Sequence, residues 1–121
     1  MQRLAMDIES VRRYCLSLPQ ARESLQWGDN LVFKIGGRMF AVLSLSPSRT
    51  WLSFKCSVED YCELVERPDI IPAPYLARAR WVALQTADAL TAAELTLQLR
   101  RAYDLVREKL PQQGKRQKRR R

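Results

Sequence analysis

The 121-residue chain contains no histidine. That absence removes Ser-His and Cys-His nucleophile pairs, histidine metal ligation and the HExxH motif. There are three cysteines, Cys15, Cys56 and Cys62, and no CxxC. An odd, widely spaced set indicates neither a zinc knuckle nor a thioredoxin-type pair, and free thiols in a reducing cytoplasm are expected. Neither a Walker A loop nor GxGxxG occurs, so no nucleotide-cradling loop is signalled. No apolar run approaches the roughly 18 residues of a membrane span. The opening MQRLAMDIES lacks an apolar signal region, so secretion is not expected. The absences together lead us to expect a cytoplasmic protein that is not an enzyme and takes no metal or cofactor.

Charge is present in excess and unevenly placed. The formal net charge is +8, from 21 basic and 13 acidic residues. Lys115, Arg116, Lys118, Arg119, Arg120 and Arg121 give the end of the chain six cations and no anion, leaving the body 15 basic against 13 acidic residues, a net of +2. Like-charge blocks of this kind repel themselves and serve as interaction arms. We therefore divide the chain into one domain, 1–110, and a basic tail, 111–121, expected to be disordered and either solubilising or nucleic-acid-contacting. About 110 residues suffice for one modest core.

Along the domain, Asp7 can cap a first helix whose Ile8, Val11, Cys15 and Leu18 form an apolar stripe ended by Pro19. Arg22 to Trp27 alternates weakly, as an edge-like strand does, before the Gly28-Asp29-Asn30 turn signal. Trp51 to Lys55 alternates again, with Leu52 and Phe54 on one face and Ser53 and Lys55 on the other. Ser57 and Asp60 resemble a capping box for a helix to about Glu66 that buries Val58, Tyr61, Cys62 and Val65. Arg67 to Pro74, with three prolines, reads as a loop that Tyr75 to Arg78 continues, and Arg80 to Gln85 as a last strand. Thr91 and Glu94 make a capping box for a final helix with Leu95, Leu99, Ala102, Val106 and Leu110 inward.

The clearest local signal is VFKIGGRMFAVLSL, Val32 to Leu45. Gly36-Gly37 suits a two-residue turn needing positive φ at both places. That turn pairs Ile35 with Arg38, Lys34 with Met39, Phe33 with Phe40 and Leu31 with Val42. Leu31, Phe33, Ile35, Phe40 and Val42 then share the core face, and strand parity puts Lys34 on the other. Arg38 falls at the turn end of the core face, where its stem can pack and its head reach water. Consecutive antiparallel strands followed by helices give an α+β class: a single domain, an antiparallel sheet of about five strands, helices on one face and the other face open.

Six segments in order, YCLSLPQA, Trp27-Gly28, VFKIGGRMFAVLSL, LSFKC, PAPYLARARWVAL and YDLVREKL, resemble the MmcQ/YjbR-like family from about Ile8 to Leu110. The resemblance implies a CyaY-like or secretion-chaperone-like fold and the broad DNA-binding label that family members commonly carry. The chain departs from the pattern where members often have histidine. Asp29 and Asn30 follow the Trp-Gly pair, Leu76 follows Tyr75, and Arg101-Ala102 precede Tyr103-Asp104.

Lys34 and Lys55 match family positions and fall opposite the apolar face. With Arg78, Arg80 and Trp81 they suggest an open sheet face of cations beside an aromatic, the combination that neutralises phosphates and stacks bases. Packing of Trp81 under a helix is the competing reading. The expected nucleic-acid-binding set is thus Lys34, Arg38, Lys55, Arg78, Arg80 and Trp81 together with the tail cations, acting on double-stranded DNA with low specificity. The alternative is a chaperone-like protein-interaction module without enzymatic activity. A pocket around Lys34, Lys55, Tyr75 and Arg78 is a third, lesser possibility, since no nucleophile-base pair is legible.

Overall fold

The computed structural model describes residues 6–46 and 48–111. The tail, with its expected disorder and its six cations, lies outside them. Helix α1 (Ile8–Ser17) starts where Asp7 accepts from the Ser10 N–H at 2.8 Å. It buries Val11 and Cys15 and gives way at Leu18, before Pro19. Four strands follow in a meander: β1 (Arg22–Gln26), β2 (Asn30–Ile35), β3 (Arg38–Ser44) and β4 (Leu52–Lys55). Then come α2 (Val58–Leu64), β5 (Ile70–Pro72), a 3-10 turn at Ala77–Ala79, β6 (Trp81–Leu84) and α3 (Ala92–Glu108). The sheet has six strands in the order β1-β2-β3-β4-β6-β5, every neighbour antiparallel. The expected α+β class holds, with six strands where about five were expected.

The added strand is Ile70–Pro72, which the sequence reading had placed in a loop. Proline cannot donate to a ladder, so sheets tolerate it at an edge. Here Pro72 closes the edge strand, pairing with Val82, while Ile70 enters the core. The last strand begins at Trp81, because Arg80 takes a left-handed conformation (φ 61).

The Gly36-Gly37 turn forms as expected, at φ 60 and 82. Ile35 pairs with Arg38 and Lys34 with Met39, but the register then slips. Phe33 pairs with Ala41, Val32 with Val42 and Leu31 with Leu43. Phe40 is the extra residue of a β-bulge, which kinks one strand and re-aims its side chains. Phe40 and Ala41 both reach the core beneath the helices, Leu43 takes the inward place expected of Val42, and Val42 turns to the opposite face.

All three helices pack on one face of the sheet. There Phe40 meets Tyr103 edge-on, centroids 5.6 Å apart, and the Tyr103 hydroxyl donates to the Pro19 carbonyl at 2.6 Å. The α3 capping box forms in both directions between Thr91 and Glu94. The Arg67 guanidinium, and then the Thr91 N–H, hold the Glu94 carboxyl down at about 2. Helix α2 is shorter than expected and turned. Leu64 is its buried residue, Tyr61 and Val65 are half-buried, and Val58 and Cys62 face solvent, against the expectation that both are buried. Burial pushes the Cys15 and Cys56 thiols up to about 12, so neither is a ready nucleophile at neutral pH.

The second face is not wholly open. Over β5 and β6 the connection from Ala73 to Arg80 folds back across it, and Leu76 packs with Ala73, Met39, Val42 and Ile71 around Trp81 and Ala83. That cover reaches Met39 and Val42 of β3, and Val32 of β2 is fully buried on the same face; among the described residues no helix lies on it.

Candidate functional site

Strand alternation fixes what the helix-free face displays. Arg22, Ser24 and Gln26 of β1 lie opposite Lys34, Val32 and Asn30 of β2. Met39, Val42 and Ser44 of β3 continue that face through the register, and Ser53 and Lys55 of β4 complete it. Three of these are cations and none is a carboxylate. The one acidic residue of β1, Glu23, points to the helical side, where the Arg12 guanidinium grips it at 2.6 and 2.8 Å and holds its carboxyl below the usual range.

The antiparallel order also gathers the cations at one end. Arg22 opens β1, Lys34 lies near the end of β2, Arg38 opens β3, Lys55 ends β4, and Arg78 and Arg80 immediately precede β6. All these positions share the end of the sheet that carries the Gly36-Gly37 turn. The C-terminus of α3 arrives there too. The positive φ favours glycine at Gly36, and a Cβ built there would stand 2.6 Å from the end of the Leu110 side chain, which would have to shift. The described chain therefore ends, at Pro111, beside this cationic end.

Lys55 is the best-positioned of the group. Its Nζ donates to the Ala79 carbonyl at 2.9 Å, tying β4 to the connection before β6. Burial, then repulsion from Lys109 and Arg80, pulls its pKa below the ordinary lysine value. Repulsion from two neighbours without a carboxylate to offset it marks a local concentration of positive charge. Ion pairs elsewhere show the contrast: Arg12 with Glu23, Arg67 with Glu94, Arg100 with Asp104 and Arg101 with Asp60 all lie on the helical side. Among the described residues, Arg22, Lys34, Arg38, Lys55, Arg78, Arg80 and Lys109 make no ion pair.

Of the residues expected from sequence, Lys34, Arg38, Lys55, Arg78 and Arg80 thus converge at one end. Trp81 does not serve as expected. It is 4% exposed, sealed by Leu76, so its ring offers no platform for stacking. Sequence reasoning missed Arg22 and Lys109. The parity that separated Lys34 from the core also separates Arg22 from Glu23 and Leu25, so Arg22 was within reach. Lys109 follows the last helical residue, and only tertiary packing brings it to the sheet.

A separate cleft of about 320 Å3 lies between α2 and α3. Its Asp60, Arg67, Glu94 and Arg101 are consumed in the two ion pairs that cross it, 3.0 and 2.9 Å long. No group of three or more metal-ligating side chains occurs among the described residues. No helix among them is long and apolar enough to cross a membrane.

A six-stranded antiparallel sheet with helices on one face and cations gathered at one end defines a small α+β protein. The YjbR family model matches residues 16–105, and the chain belongs to that family. It is similar to the solved structure of the Deinococcus radiodurans protein DR2400, with 28% identity and a TM-score of 0.82 over 97% of this chain and 91% of that one. A Pseudomonas syringae protein shares the fold, with 18% identity and a TM-score of 0.70 over 84% of this chain and 99% of that one. No curated protein matches.

Proposed function

We propose that the protein binds DNA with low sequence specificity, setting the cationic end of its sheet against phosphates, with the tail cations adding attraction. One observation carries this reading. Arg22 stands directly opposite Lys34 in the β1–β2 ladder, on a face without a carboxylate. Like charges opposite one another in a sheet are destabilising. An external polyanion removes that penalty, and nothing within the described fold does. Low specificity follows from the contact type, since phosphate contacts give position and affinity but carry no sequence information. On α3, Arg100 and Arg101 are held by Asp104 and Asp60, which leaves no evident set of base-reading side chains there. The activity proposed is binding without catalysis.

Duplex DNA binding across a salt series, with the full chain and with a chain ending at Pro111, tests it. Both should bind, with log K falling by about 0.9 per log unit of salt for each phosphate neutralised, and the full chain should show the steeper slope. Salt-independent binding, or binding that vanishes with the tail, would remove the sheet from the proposal.

A protein-interaction module is the second reading, and the free edge of the sheet favours it. Among the described residues strand β1 has no neighbour on its outer side, and Leu25 and Trp27 are 61% and 64% exposed. Light scattering decides the self-associating form of it: a strict monomer at high concentration counts against that form.

A further inference from the structure

Tyr75 is fully exposed, at 103% of its reference area. It sits in a four-residue turn closed by the Leu76 N–H donating to the Ala73 carbonyl at 3.1 Å. Pro74 suits the second place of such a turn. The third place requires positive φ, and glycine or asparagine ordinarily fills it. Here it is Tyr75, at φ 67. The backbone around it is braced: the Ala73 N–H donates to the Trp81 carbonyl at 3.0 Å, the Trp81 N–H donates to the Leu76 carbonyl at 3.2 Å, and Leu76 is packed on Trp81. The fold therefore holds a bulky aromatic in a strained conformation and gives its ring no packing in return. Strain that the surroundings enforce is characteristic of functional positions. Arg78 and Arg80 follow in the same connection, both exposed, and Lys55 is bonded to the Ala79 carbonyl between them.

We propose that Tyr75 is a stacking platform for an unpaired base, so that the cationic end prefers single-stranded DNA to closed duplex. This rests on the DNA-binding reading above and narrows its ligand. In a duplex each base is covered by its neighbours, and a solvent-facing ring finds no face to meet. In a single strand every base presents one, and Arg78, Arg80 and Lys55 neutralise the flanking phosphates. Stacking of this kind tolerates any base, in keeping with low sequence specificity.

The test is fluorescence anisotropy of the full chain with a labelled oligothymidine and with a blunt duplex of equal length, at fixed salt, for wild type, Tyr75→Gly and Tyr75→Phe. Wild type should bind the single strand more tightly. Tyr75→Gly should weaken that binding about 5- to 150-fold, the range for loss of one base–aromatic stack, with duplex affinity and salt slope unchanged. Because glycine accepts positive φ, this variant should melt no lower than wild type, which separates lost binding from lost folding. Tyr75→Phe keeps the ring and should keep the affinity. Single-strand binding by Tyr75→Gly equal to wild type, or an equal loss in Tyr75→Phe, overturns the inference. If duplex binding stays salt-dependent in that case, the broader reading survives. If wild type binds neither probe, both fall together.

Discussion

Glutamine at both Arg22 and Lys34 should weaken DNA binding and at the same time raise the melting temperature. The two residues face each other across the β1–β2 ladder with no carboxylate on their face. Removing both charges should make the salt slope shallower by about 1.8, at about 0.9 per phosphate contact, which corresponds to about 60-fold in affinity at 0.1 M salt relative to 1 M. Relief of the like-charge pair should return about 0.2–1 kcal/mol of stability. Glutamine is preferable to alanine because the stems flank the fully buried Val32 on the same face, and truncation would add a packing loss to the charge effect. The opposed signs make the experiment informative. A change of fold would lower both quantities, and a merely solvated pair would leave the slope where it was. Arg13→Gln, at an exposed position of α1 in the helical layer, supplies the control and should move neither.

The largest loss of stability is expected from Phe40→Ala. Phe40 is wholly buried, edge-on to Tyr103 at 5.6 Å and tilted against Phe33 at 6.5 Å. It is also the residue that the bulge inserts, so the space around it is shaped by a local kink of β3 that an alanine cannot fill. Phenylalanine-to-alanine changes in cores cost about 3–5 kcal/mol, against a total of about 5–15 kcal/mol for a domain. Urea unfolding should show the midpoint falling by about a fifth or more with an unchanged m-value. Val58→Ala, at a side chain 49% exposed on α2, should change stability by less than about 0.5 kcal/mol. A cost below about 1 kcal/mol at Phe40 would mean that β3 can slide to the unbulged register and refill the core.

Both effects turn on features of unequal visibility in the sequence. The Gly36-Gly37 turn was legible because few residues accept positive φ at two successive places. The N-caps at Asp7, Ser57 and Thr91 were legible because a short oxygen-bearing side chain before an apolar stripe has a local reason to be there. The bulge was not. Phe40, Ala41, Val42 and Leu43 are all apolar, and a run without polar residues does not say where alternation breaks. Strand β5 was hidden by the prolines around it, since the rule against proline in sheets fails at an edge. The outward face of Lys34 and Lys55 could be read from parity. That Trp81 shares that face could also be read, but not that Leu76 would close over it, because the covering connection is set by contacts far apart in the chain. The gathering of Arg22, Arg38, Lys55, Arg80 and Lys109 at one end depends on strand order, which pairs β6 with β4 and leaves β5 outside.

That strand order has a kinetic consequence. Strands β1, β2 and β3 each pair with their immediate successor in the chain, whereas β6 reaches its place beside β4 only after α2 and β5 have been passed. Short-range pairings close small loops at low entropic cost and long-range ones close large loops at high cost. The meander should therefore be the nucleus, and β5–β6 should dock on it afterwards. Destabilising changes in the β2–β3 hairpin should slow refolding, while those in β5 should mainly speed unfolding, a split that chevron plots read directly. The cationic end is then assembled in two instalments, with Arg22, Lys34, Arg38 and Lys55 placed early in the meander and Arg78 and Arg80 brought beside them only when the last strand arrives.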